Sequence, residues 1–385
     1  MRIAFFSTMG GLSWGGSEEL WSRAAHVLLA QGHHVAFNSL QWPQRATQIQ
    51  QLIDAGAVPR FRSRFRIGRS LRRTLEQLQV LRLKYRRWLR QSRPDFVVIS
   101  FSYHADDPQI AVTCRRLGIR YAIVLQAAGP HHWIAPRYLD DFRCAYEGAE
   151  QCLFLSDQNR ETIEVNLGID LSNSEVIDNP FNVNRNAAPV WPGTEVGWNL
   201  ACVARIHFPS KSQDIIACVL RQPKWKARPL KVTLWGRDEG FLPQLERLIE
   251  IYGLQNQLQY GGFSNDVEQL WSQHHGLLLP SRMEGNPLSL VEAMMCGRVP
   301  ITTNVGRAAE LIDNNKSGFI AGAATVGLLD EALERAWHER NNWQRMGQLA
   351  ARAIRQRHSQ TPGDDLAARI LDLAAQSPRA RRKAA

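Results

Sequence analysis

The stretch PSRMEGNPLSLVEAMMCGRVP, residues 280–300, carries two glutamates, Glu284 and Glu292, that are separated by seven residues. It begins at the end of a short apolar run, GLLLP, which is typical of a buried strand. Asn286 is a residue type that caps helices and Pro287 suits the first helical position, so we expect a helix to begin there. One carboxylate then lies on a strand-to-helix loop, and the other lies nearly two turns into the helix.

The start of this predicted helix is suited to an anion. The first N–H groups, here those of Leu288 and Ser289, have no acceptor within the helix, and such a helix start attracts phosphate. In an open parallel sheet, ligands bind at the carboxyl ends of the strands, where this loop lies. Carboxylates such as Glu284 and Glu292 accept hydrogen bonds from sugar or ribose hydroxyls. Together these features predict a ligand with both phosphate and sugar parts.

Two cations are predicted at the same edge of the sheet. In the stretch VARIHFPSKSQD, Arg205 ends a strand and Lys211 precedes the next helix. A guanidinium and an ammonium stabilise the charge that develops on a diphosphate leaving group. Taken alone, each cation is more often a solvated loop residue, and Glu292 alone is more often a residue on a helix surface. Their combination at one sheet edge favours a phosphate site.

The bulk composition indicates the class of protein. The chain has 385 residues, of which 44% are hydrophobic and 22% are charged, as is typical of a globular protein with two domains. Its six cysteines show no CxxC motif or metal-like spacing, so we expect reduced thiols. The N-terminus is not typical of a signal peptide, and no window reaches the roughly 18 apolar residues of a membrane span. These features predict a cytoplasmic protein.

Short apolar runs alternate with longer helical patterns in both halves of the chain. Runs rich in β-branched residues and separated by helices predict parallel sheets, so the expected fold class is α/β with two doubly wound domains. The strands are predicted at 2–7, 34–39, 95–100, 121–126 and 152–155 in the first half, and at 199–205, 231–236, 258–262, 276–280 and 299–304 in the second.

The same pattern predicts the domain boundaries. Residues 1–182 form the first domain, and the polar, proline-containing stretch 183–198 forms a linker. The second domain covers 199–340, and further helices follow over 341–375. The basic end, 376–385, is expected to be a disordered tail.

The motifs of both halves carry a family resemblance. The second half, from ARIHFPSKSQDII through GLLLPSRMEGNPLSLVEAMMCGRVPITTN, resembles the C-terminal domain of the family 4 retaining glycosyltransferases, whose signature is Glu-x7-Glu followed by Cys-Gly. The start, MRIAFFSTMGGLSWGGSEELW, resembles their N-terminal domain, and the resemblance covers roughly residues 1–360. It implies a GT-B fold, in which two Rossmann-like domains face each other and a C-terminal helix crosses back to the first. The first domain, 1–182, is then the acceptor side, and the second, 199–340, binds the nucleotide-sugar. It also implies a nucleotide-sugar donor and no required metal or other cofactor.

The resemblance implies roles for the residues of the opening stretch. Glu284 is expected to contact the transferred sugar and Glu292 the ribose, while Arg205 and Lys211 hold the diphosphate. The other expected donor-binding residues are small or approach the donor through their backbone: Gly15, Gly16, Gly236, Gly285, Asn286, Pro287 and Leu288. Pro287 has no N–H to donate. The pair of glycines after the first strand is equally compatible with an ordinary turn, and its spacing is not GxGxxG.

One position departs from the family pattern. Many relatives carry a histidine at the end of the strand YAIVLQ, and this chain has Gln126 there. An amide forms hydrogen bonds with a sugar hydroxyl but cannot act as a base. His104 at the end of the preceding strand, or His131 and His132 after Gln126, are the candidates to compensate. Each is at least as well explained as an ordinary loop histidine.

The positive charge of the chain is concentrated in residues 60–93. This segment holds thirteen arginines and lysines against a single acidic residue, Glu76, while the whole chain has a net charge of +11. Apolar residues recur at helical spacing over 71–89, which predicts a helix with a solvated cationic face. The alternative is that this face docks to anionic lipid at the inner membrane surface, with Phe61 and Phe65 inserted. No nucleic-acid partner is expected, because no binding motif accompanies the charge.

The sequence therefore predicts a metal-independent, retaining glycosyltransferase that moves a sugar from a UDP- or GDP-sugar to a glycan or lipid-linked acceptor. We expect Glu284 to act in catalysis together with His104 or Gln126. One alternative is a catalytically silent GT-B module that binds a nucleotide-sugar or a lipid head group. A further alternative is a nucleotide-sugar epimerase on the same fold.

Overall fold

The structure is a computed structural model that describes residues 1–63 and 80–376. The chain forms two compact units. The first contains Met1–Pro180 together with the last helix, and the second contains Phe181–Gln360. The predicted linker, 183–198, is part of the second unit.

The first unit contains a seven-stranded parallel sheet in the order β3-β2-β1-β4-β5-β6-β7. Its elements alternate along the chain: β1 (Arg2–Ser7), α1 (Gly16–Ala30), β2 (His34–Leu40), α2 (Thr47–Asp54), β3 (Val58–Arg62), α3 (Val80–Ser92), β4 (Phe96–Phe101), α4 (Gln109–Leu117), β5 (Tyr121–Leu125), α5 (Leu139–Glu147), β6 (Gln151–Phe154), α6 (Asp157–Leu167) and β7 (Ser174–Val176).

The second unit contains a six-stranded parallel sheet in the order β10-β9-β8-β11-β12-β13. Its elements are β8 (Trp198–Val203), α7 (Phe208–Lys211), α8 (Gln213–Leu220), α9 (Pro223–Lys226), β9 (Leu230–Trp235), α10 (Leu242–Tyr252), β10 (Leu258–Gly262), α11 (Val267–Ser272), β11 (Gly276–Leu279), α12 (Leu288–Met295), β12 (Val299–Thr303), α13 (Ala308–Leu311), β13 (Phe319–Ala321), α14 (Val326–His338) and α15 (Trp343–Arg357).

Each sheet is buried on both faces. Every residue of β4, β5, β11 and β12 is buried, because helices pack on both sides of the parallel strands. The strand order reverses between β1 and β4 in the first sheet and between β8 and β11 in the second. Crevices that bind ligands form outside the carboxyl ends of strands at such reversals. The candidate residues of the sequence follow these strands, or β5 and β9 beside them.

The last helix, α16 (Pro362–Ala375), belongs to the first unit and packs on α1. Arg120 donates hydrogen bonds to the carbonyl oxygens of Leu373 and Gln376, at 2.6 and 2.7 Å, and so caps the end of the helix. The expected return of a C-terminal helix is thus present. Of the helices predicted over 341–375, however, α15 stays in the second unit, where it packs on α12 and β12.

Two features of the basic segment differ from the expectation. Residues 58–62 form strand β3, and Phe61 packs against Phe37 with ring centroids 6.0 Å apart, so Phe61 is not available for insertion into a membrane. The alternation of arginine and phenylalanine has the period of a strand. Phe65 and Glu76 lie outside the described residues, as does the predicted tail beyond Gln376.

Candidate functional site

The carboxylate of Glu284 lies at the centre of the candidate site in the second unit. It follows β11, is 7% exposed, and accepts a hydrogen bond from the hydroxyl of Ser281 at 2.7 Å. The ammonium group of Lys211, at the end of α7, donates a hydrogen bond to the same carboxylate oxygen. Strands β8 and β11 are neighbours in the sheet, which brings these distant parts of the sequence together.

The loop between Glu284 and α12 is fixed by close backbone contacts. Gly306 has a φ of 56°, and a Cβ there would lie 2.1 Å from the carbonyl oxygen of Gly285. The N–H of Arg307 donates to that oxygen at 2.8 Å. Only glycine at position 306 allows this approach, so the loop that carries Gly285 is held close to the end of β12.

Helix α12 begins one residue later than the sequence predicts. Pro287 is the N-cap residue, with φ −67° and ψ 123°, and the first helical residue is Leu288. Asn286 is therefore not the cap. Its side chain is 2% exposed, and its Nδ2 lies 3.3 Å from Nε2 of His358. The N–H groups at the start of α12 still lack acceptors within the helix, because this holds for any helix start.

Glu292 lies inside α12 and is 4% exposed, not a residue of the helix surface. Its Oε1 accepts hydrogen bonds from the backbone N–H and the side-chain amide of Asn182, at 3.0 and 3.1 Å. Asn182 was not among the predicted site residues. No sequence pattern marks Asn182 as a site residue, because its position beside Glu292 depends on the path of the chain between the two sheets.

Arg205 follows β8 and is held from two sides. Its guanidinium donates to both oxygens of Glu239, at 2.8 and 2.7 Å, and its carbonyl oxygen accepts from the side chain of Gln213 at 2.8 Å. Gly236, at the end of β9, has a φ of 150°, and a Cβ there would lie 2.1 Å from the carbonyl oxygen of Ala204. Gly236 is therefore needed for the close approach of this loop to the residue before Arg205.

His207 is a further neighbour that the sequence did not single out. Its Nδ1 lies 2.6 Å from the hydroxyl of Ser210, and its backbone N–H faces the side chain of Gln213 at 3.4 Å. Burial, followed by the charge of Arg205, lowers the pKa of its imidazole. A neutral imidazole beside Arg205 and Lys211 leaves the positive charge of this edge on those two residues.

The glycine-rich loop of the first unit follows β1. Gly15 is the N-cap residue of α1, in extended conformation, and Gly16 is its first residue. A Cβ at Gly15 would lie 2.8 Å from the terminal methyl group of Met9, and the hydroxyl of Ser17 lies 3.3 Å from the Met9 sulfur. Met9 therefore packs across the start of α1 in the space that the glycine leaves.

Gln126 follows β5 and is 5% exposed. Neither its Oε1 nor its Nε2 has a hydrogen-bond partner among the described residues. A buried primary amide without partners costs free energy, on the order of 1–3 kcal/mol for each unsatisfied group. Such a group is explained when a ligand supplies the missing partner.

His104 is buried, with 1% exposure, and both of its ring nitrogens are engaged. Its Nε2 lies 2.7 Å from the carbonyl oxygen of His132, and its Nδ1 accepts from the N–H of Gly129 at 3.3 Å. Burial lowers the pKa of the imidazole, so the ring is neutral at pH 7 with its proton on Nε2. This geometry makes His104 a brace for the loop after β5 and leaves no free lone pair for a base. His131 and His132 themselves are exposed.

Two carboxyl groups of the first unit were missed at this edge, Glu18, which is buried, and Asp106, which is half-buried. Glu18, in the first turn of α1, is 3% exposed and accepts from the hydroxyl of Ser7 at 2.6 Å. Asp106 accepts from the hydroxyls of Thr8 and Ser102, at 2.5 and 2.8 Å. Burial raises the pKa of both groups, that of Glu18 to about 7. In the sequence, an acidic residue in the first turn of a helix is fully explained by the helix dipole. Glu18 was therefore not singled out as a site residue.

No helix within residues 1–63 and 80–376 is both long and apolar enough to cross a membrane. In the same residues, no group of three or more His, Cys, Asp or Glu side chains is arranged to hold a metal ion. All six cysteines are free thiols, and Cys114, Cys152, Cys202 and Cys296 are buried. Metal independence stays a prediction.

Two family models match the chain, one in each unit. Residues 14–185 match the model described as glycosyltransferase family 4, and residues 199–353 match glycosyl transferases group 1. Together the two matches take in β2–β7 of the first sheet and the second sheet from residue 199, including the loops after β8 and β11.

Curated relatives match over shorter stretches. The chain is 32% identical over 111 residues to a glycogen synthase of Pseudomonas fluorescens strain Pf0-1, which is 28% of this chain and 22% of the relative. It is 33% identical over 106 residues to the Vi polysaccharide biosynthesis protein VipC/TviE of Salmonella typhi, 28% of this chain and 18% of the relative. The matched part is thus about a fifth of the length of these relatives.

Solved structures match the chain over nearly its whole length. Anabaena Alr3699/HepE in complex with UDP has a TM-score of 0.71 at 18% identity, covering 97% of this chain and 100% of that one. A glycosyltransferase from Rickettsia africae has a TM-score of 0.74 at 16% identity, covering 98% and 100%. Sucrose-phosphate synthase from Thermosynechococcus elongatus has a TM-score of 0.72 at 15% identity, covering 98% and 100%. At these identities the likeness shows the fold.

Proposed function

Because the chain belongs to the GT4-type glycosyltransferases of the GT-B superfamily, we propose that it transfers a sugar, with retention of anomeric configuration, from a UDP- or GDP-sugar. The acceptor is a glycan or a lipid-linked sugar in the assembly of a surface polysaccharide or glycolipid. The observation that carries the proposal is the cluster of Lys211, Ser281 and Glu284 at the strand-order reversal of the second sheet. The neighbour HepE, with the same fold, was solved with UDP and with UDP-glucose.

The diphosphate binds between two cations and a helix start. Arg205 follows β8 and Lys211 precedes α8, so both side chains lie at the carboxyl edge of the sheet that also carries the start of α12. In the free protein each cation is paired with a carboxylate, Glu239 and Glu284. A fixed cation costs no reorganisation when negative charge develops on the leaving diphosphate, which is why pre-positioned pairs favour catalysis.

The two glutamates have separate tasks in this proposal. Glu284 lies on the loop beside the phosphate site and accepts hydrogen bonds from the hydroxyls of the transferred sugar. Glu292 lies almost two turns further along α12, and its carboxylate, oriented by Asn182, accepts from the ribose. Both carboxylates are already held by neighbours, so little side-chain entropy is lost when the donor binds.

Gln126 takes the place of the family's histidine as a hydrogen-bonding residue. Its amide is buried and has no partner among the described residues, which supports a role in receiving a sugar hydroxyl. An amide does not accept a proton from an acceptor hydroxyl. The proton therefore passes to the leaving diphosphate on the same face of the sugar, a route that needs no base from the protein. The engagement of both His104 nitrogens is consistent with this route.

Contact with an anionic membrane is part of the proposal. Lys84, Arg86, Arg87 and Arg90 of α3 are exposed, while Trp88 faces the core. The neighbouring helix α4 adds two exposed cations, Arg115 and Arg116. A surface of this charge attracts anionic lipid with about 1 kcal/mol per basic residue near the membrane. Such contact brings a lipid-linked acceptor to the enzyme.

The second candidate function is a catalytically silent module that binds a nucleotide-sugar. It is favoured by one observation, namely that the edge of β5 carries an amide in place of a base. Donor binding alone does not distinguish the transferase from the silent module, because both bind the donor.

The deciding experiment is turnover of a panel of UDP- and GDP-sugars. The full-length protein is incubated with each donor, with and without EDTA, and release of the nucleoside diphosphate is measured. We expect slow hydrolysis of one donor, unchanged by EDTA, and lost in Glu284→Gln. With an acceptor present, proton NMR of the new anomeric centre reports retention. Binding of a donor without any hydrolysis or transfer would favour the silent module.

A further inference from the structure

A cavity of about 230 Å³ lies inside the first unit, at the carboxyl ends of β1, β2 and β3. Met9 of the glycine-rich loop forms one wall, and Trp42 and Arg45 of the connection between β2 and α2 form another. Phe61 of β3 and Glu18 of α1 complete it. The charged residues proposed to hold the donor all belong to the second unit. Donor binding therefore gives this cavity no role.

A polar group at the cavity is the carboxyl group of Glu18, which forms no ion pair within residues 1–63 and 80–376. Glu18 accepts from Ser7, whose hydroxyl in turn accepts from the N–H of Met9 at 3.1 Å. Arg62, whose charge acts on Glu18, gives its guanidinium hydrogens to the carbonyl oxygen of Ser7 and to Asn38. Burial raises the pKa of Glu18 to about 7. Burying a carboxyl at a cavity wall is costly unless hydrogen bonds satisfy it, and a ligand hydroxyl adds one to the bond from Ser7.

The cavity also has aromatic lining residues. Trp42 and Phe61 both line it, and the guanidinium of Arg45 lies 5.0 Å from the centre of the Phe61 ring, which orders the rim. Aromatic faces beside a few placed hydrogen-bonding groups suit a ligand that has an apolar face and a polar edge. A sugar ring has this character. The volume is below the roughly 300–1,000 Å³ of pockets for drug-sized ligands, so it suits a single ring.

We propose that this cavity binds one uncharged pyranose ring of the acceptor, with its face on Trp42 and a hydroxyl donating to Glu18. The inference rests on the proposed transferase function, because it identifies the occupant as the second substrate. A carboxylate or phosphate on the ring is disfavoured, since Glu18 shares its charge sign. Met9 connects the cavity to Gly15, so a ring in the cavity also supports the loop that begins α1.

The test is saturation-transfer NMR on the full-length protein with UDP or GDP present. The probes are the methyl glycosides of glucose, galactose, mannose and N-acetylglucosamine, with methyl glucuronide as a charged comparison. We expect at least one neutral glycoside, and not the glucuronide, to give a signal. Trp42→Ala should abolish it, and Glu18→Gln should weaken binding by roughly tenfold or more, the loss expected for a hydrogen bond to a charged group. Trp133→Ala and Glu161→Gln, exposed positions of the same unit, should leave it unchanged.

A pH series separates recognition by Glu18 from a merely structural role. The ionised carboxylate is the stronger acceptor, so the affinity for the glycoside should rise as the pH increases through about 7, and Glu18→Gln should remove that dependence. Within the described ranges 1–63 and 80–376, the charged groups that act on Glu18 or line the cavity with it are Glu19 on α1, Arg62 on β3 and Arg45. No signal from any neutral glycoside, or a signal that survives both cavity variants, would overturn the proposal. UDP and GDP binding, measured alongside, reports on the donor site independently.

Discussion

Lys211 and Glu284 are 73 residues apart in sequence, yet the ammonium of one donates a hydrogen bond to the carboxylate of the other. The sequence predicts that the lysine binds phosphate and that the glutamate binds the sugar. The ion pair is compatible with both roles, because a lysine ammonium has three hydrogens and can donate to a carboxylate and a phosphate together. Both side chains are largely buried, so removing either leaves an uncompensated charge.

Lys211→Ala should weaken the binding of UDP or GDP by roughly tenfold or more, because a charge-assisted contact contributes ~1.5–3 kcal/mol. It should also lower the melting temperature, since Glu284 is left buried without its partner. Calorimetric titration and thermal denaturation measure the two effects. The double variant Lys211→Ala/Glu284→Gln should regain part of the stability but none of the affinity.

The matched control for Lys211 is Lys226, an exposed lysine of the same unit. Lys226→Ala should change neither nucleotide affinity nor melting temperature. If Lys211→Ala binds UDP or GDP as tightly as the native protein, Lys211 does not bind the phosphate. The ion pair with Glu284 is then a structural contact only.

Variants of the two glutamates should affect donor turnover and nucleotide binding differently. Glu284→Gln is expected to lower donor turnover far more than affinity for the free nucleoside diphosphate, because we propose that Glu284 contacts the sugar of the donor and not its nucleotide. Glu292→Ala should weaken that affinity itself, since it removes the carboxylate that accepts from Asn182 and that we propose to bind the ribose. Kinetics with the donor found in the panel, and titration with its diphosphate, measure the difference. Equal effects of both variants on diphosphate affinity would contradict the division of roles.

The fold and the neighbourhood of the site were predictable, whereas individual contacts were not. Strand alternation predicts two parallel sheets, and residues that follow adjacent strands must meet at one edge, which is why Arg205, Lys211 and Glu284 were found together. Asn182 and His207 carry no pattern, because their positions follow from loop paths. The strand that contains Phe61 was missed although its alternation has period two, because its charge pointed to a surface.

His104 should act on stability and not on proton transfer. His104→Ala removes the hydrogen bonds to Gly129 and His132, so the free energy of unfolding should fall by about 2 kcal/mol, in the range for two buried bonds. The shape of the pH profile of donor turnover should stay the same. Loss of the acidic limb of that profile would instead identify His104 as the base. His131→Ala, at an exposed position, is the control for stability.

Glu18 should make the stability of the protein depend on pH. Its pKa is raised to about 7 in the folded protein from 4.5, so the folded state binds more protons between those values. The contribution to stability is present below about pH 4.5 and is lost as the pH rises through 7, on the order of 3 kcal/mol in all. Urea unfolding at pH 4.5 and 7.5 should show this loss in the native protein and much less of it in Glu18→Gln. Glu161→Gln should behave like the native protein.

The exposed cations of α3 should attach the protein to anionic membranes. Arg86→Glu/Arg87→Glu/Arg90→Glu reverses three charges on one helix face without touching the buried Trp88 and Leu89, so folding should be retained. At about 1 kcal/mol for each basic residue near the surface, the reversal should abolish co-sedimentation with vesicles of phosphatidylglycerol and phosphatidylcholine. The control reverses three exposed cations of the second unit, Lys231, Lys316 and Arg345, and should bind as the native protein does.

Binding should weaken from low to physiological salt, because the attraction is screened. Equal binding to pure phosphatidylcholine, or equal loss in both triple variants, would show that net charge or apolar contact, and not this helix face, carries the interaction.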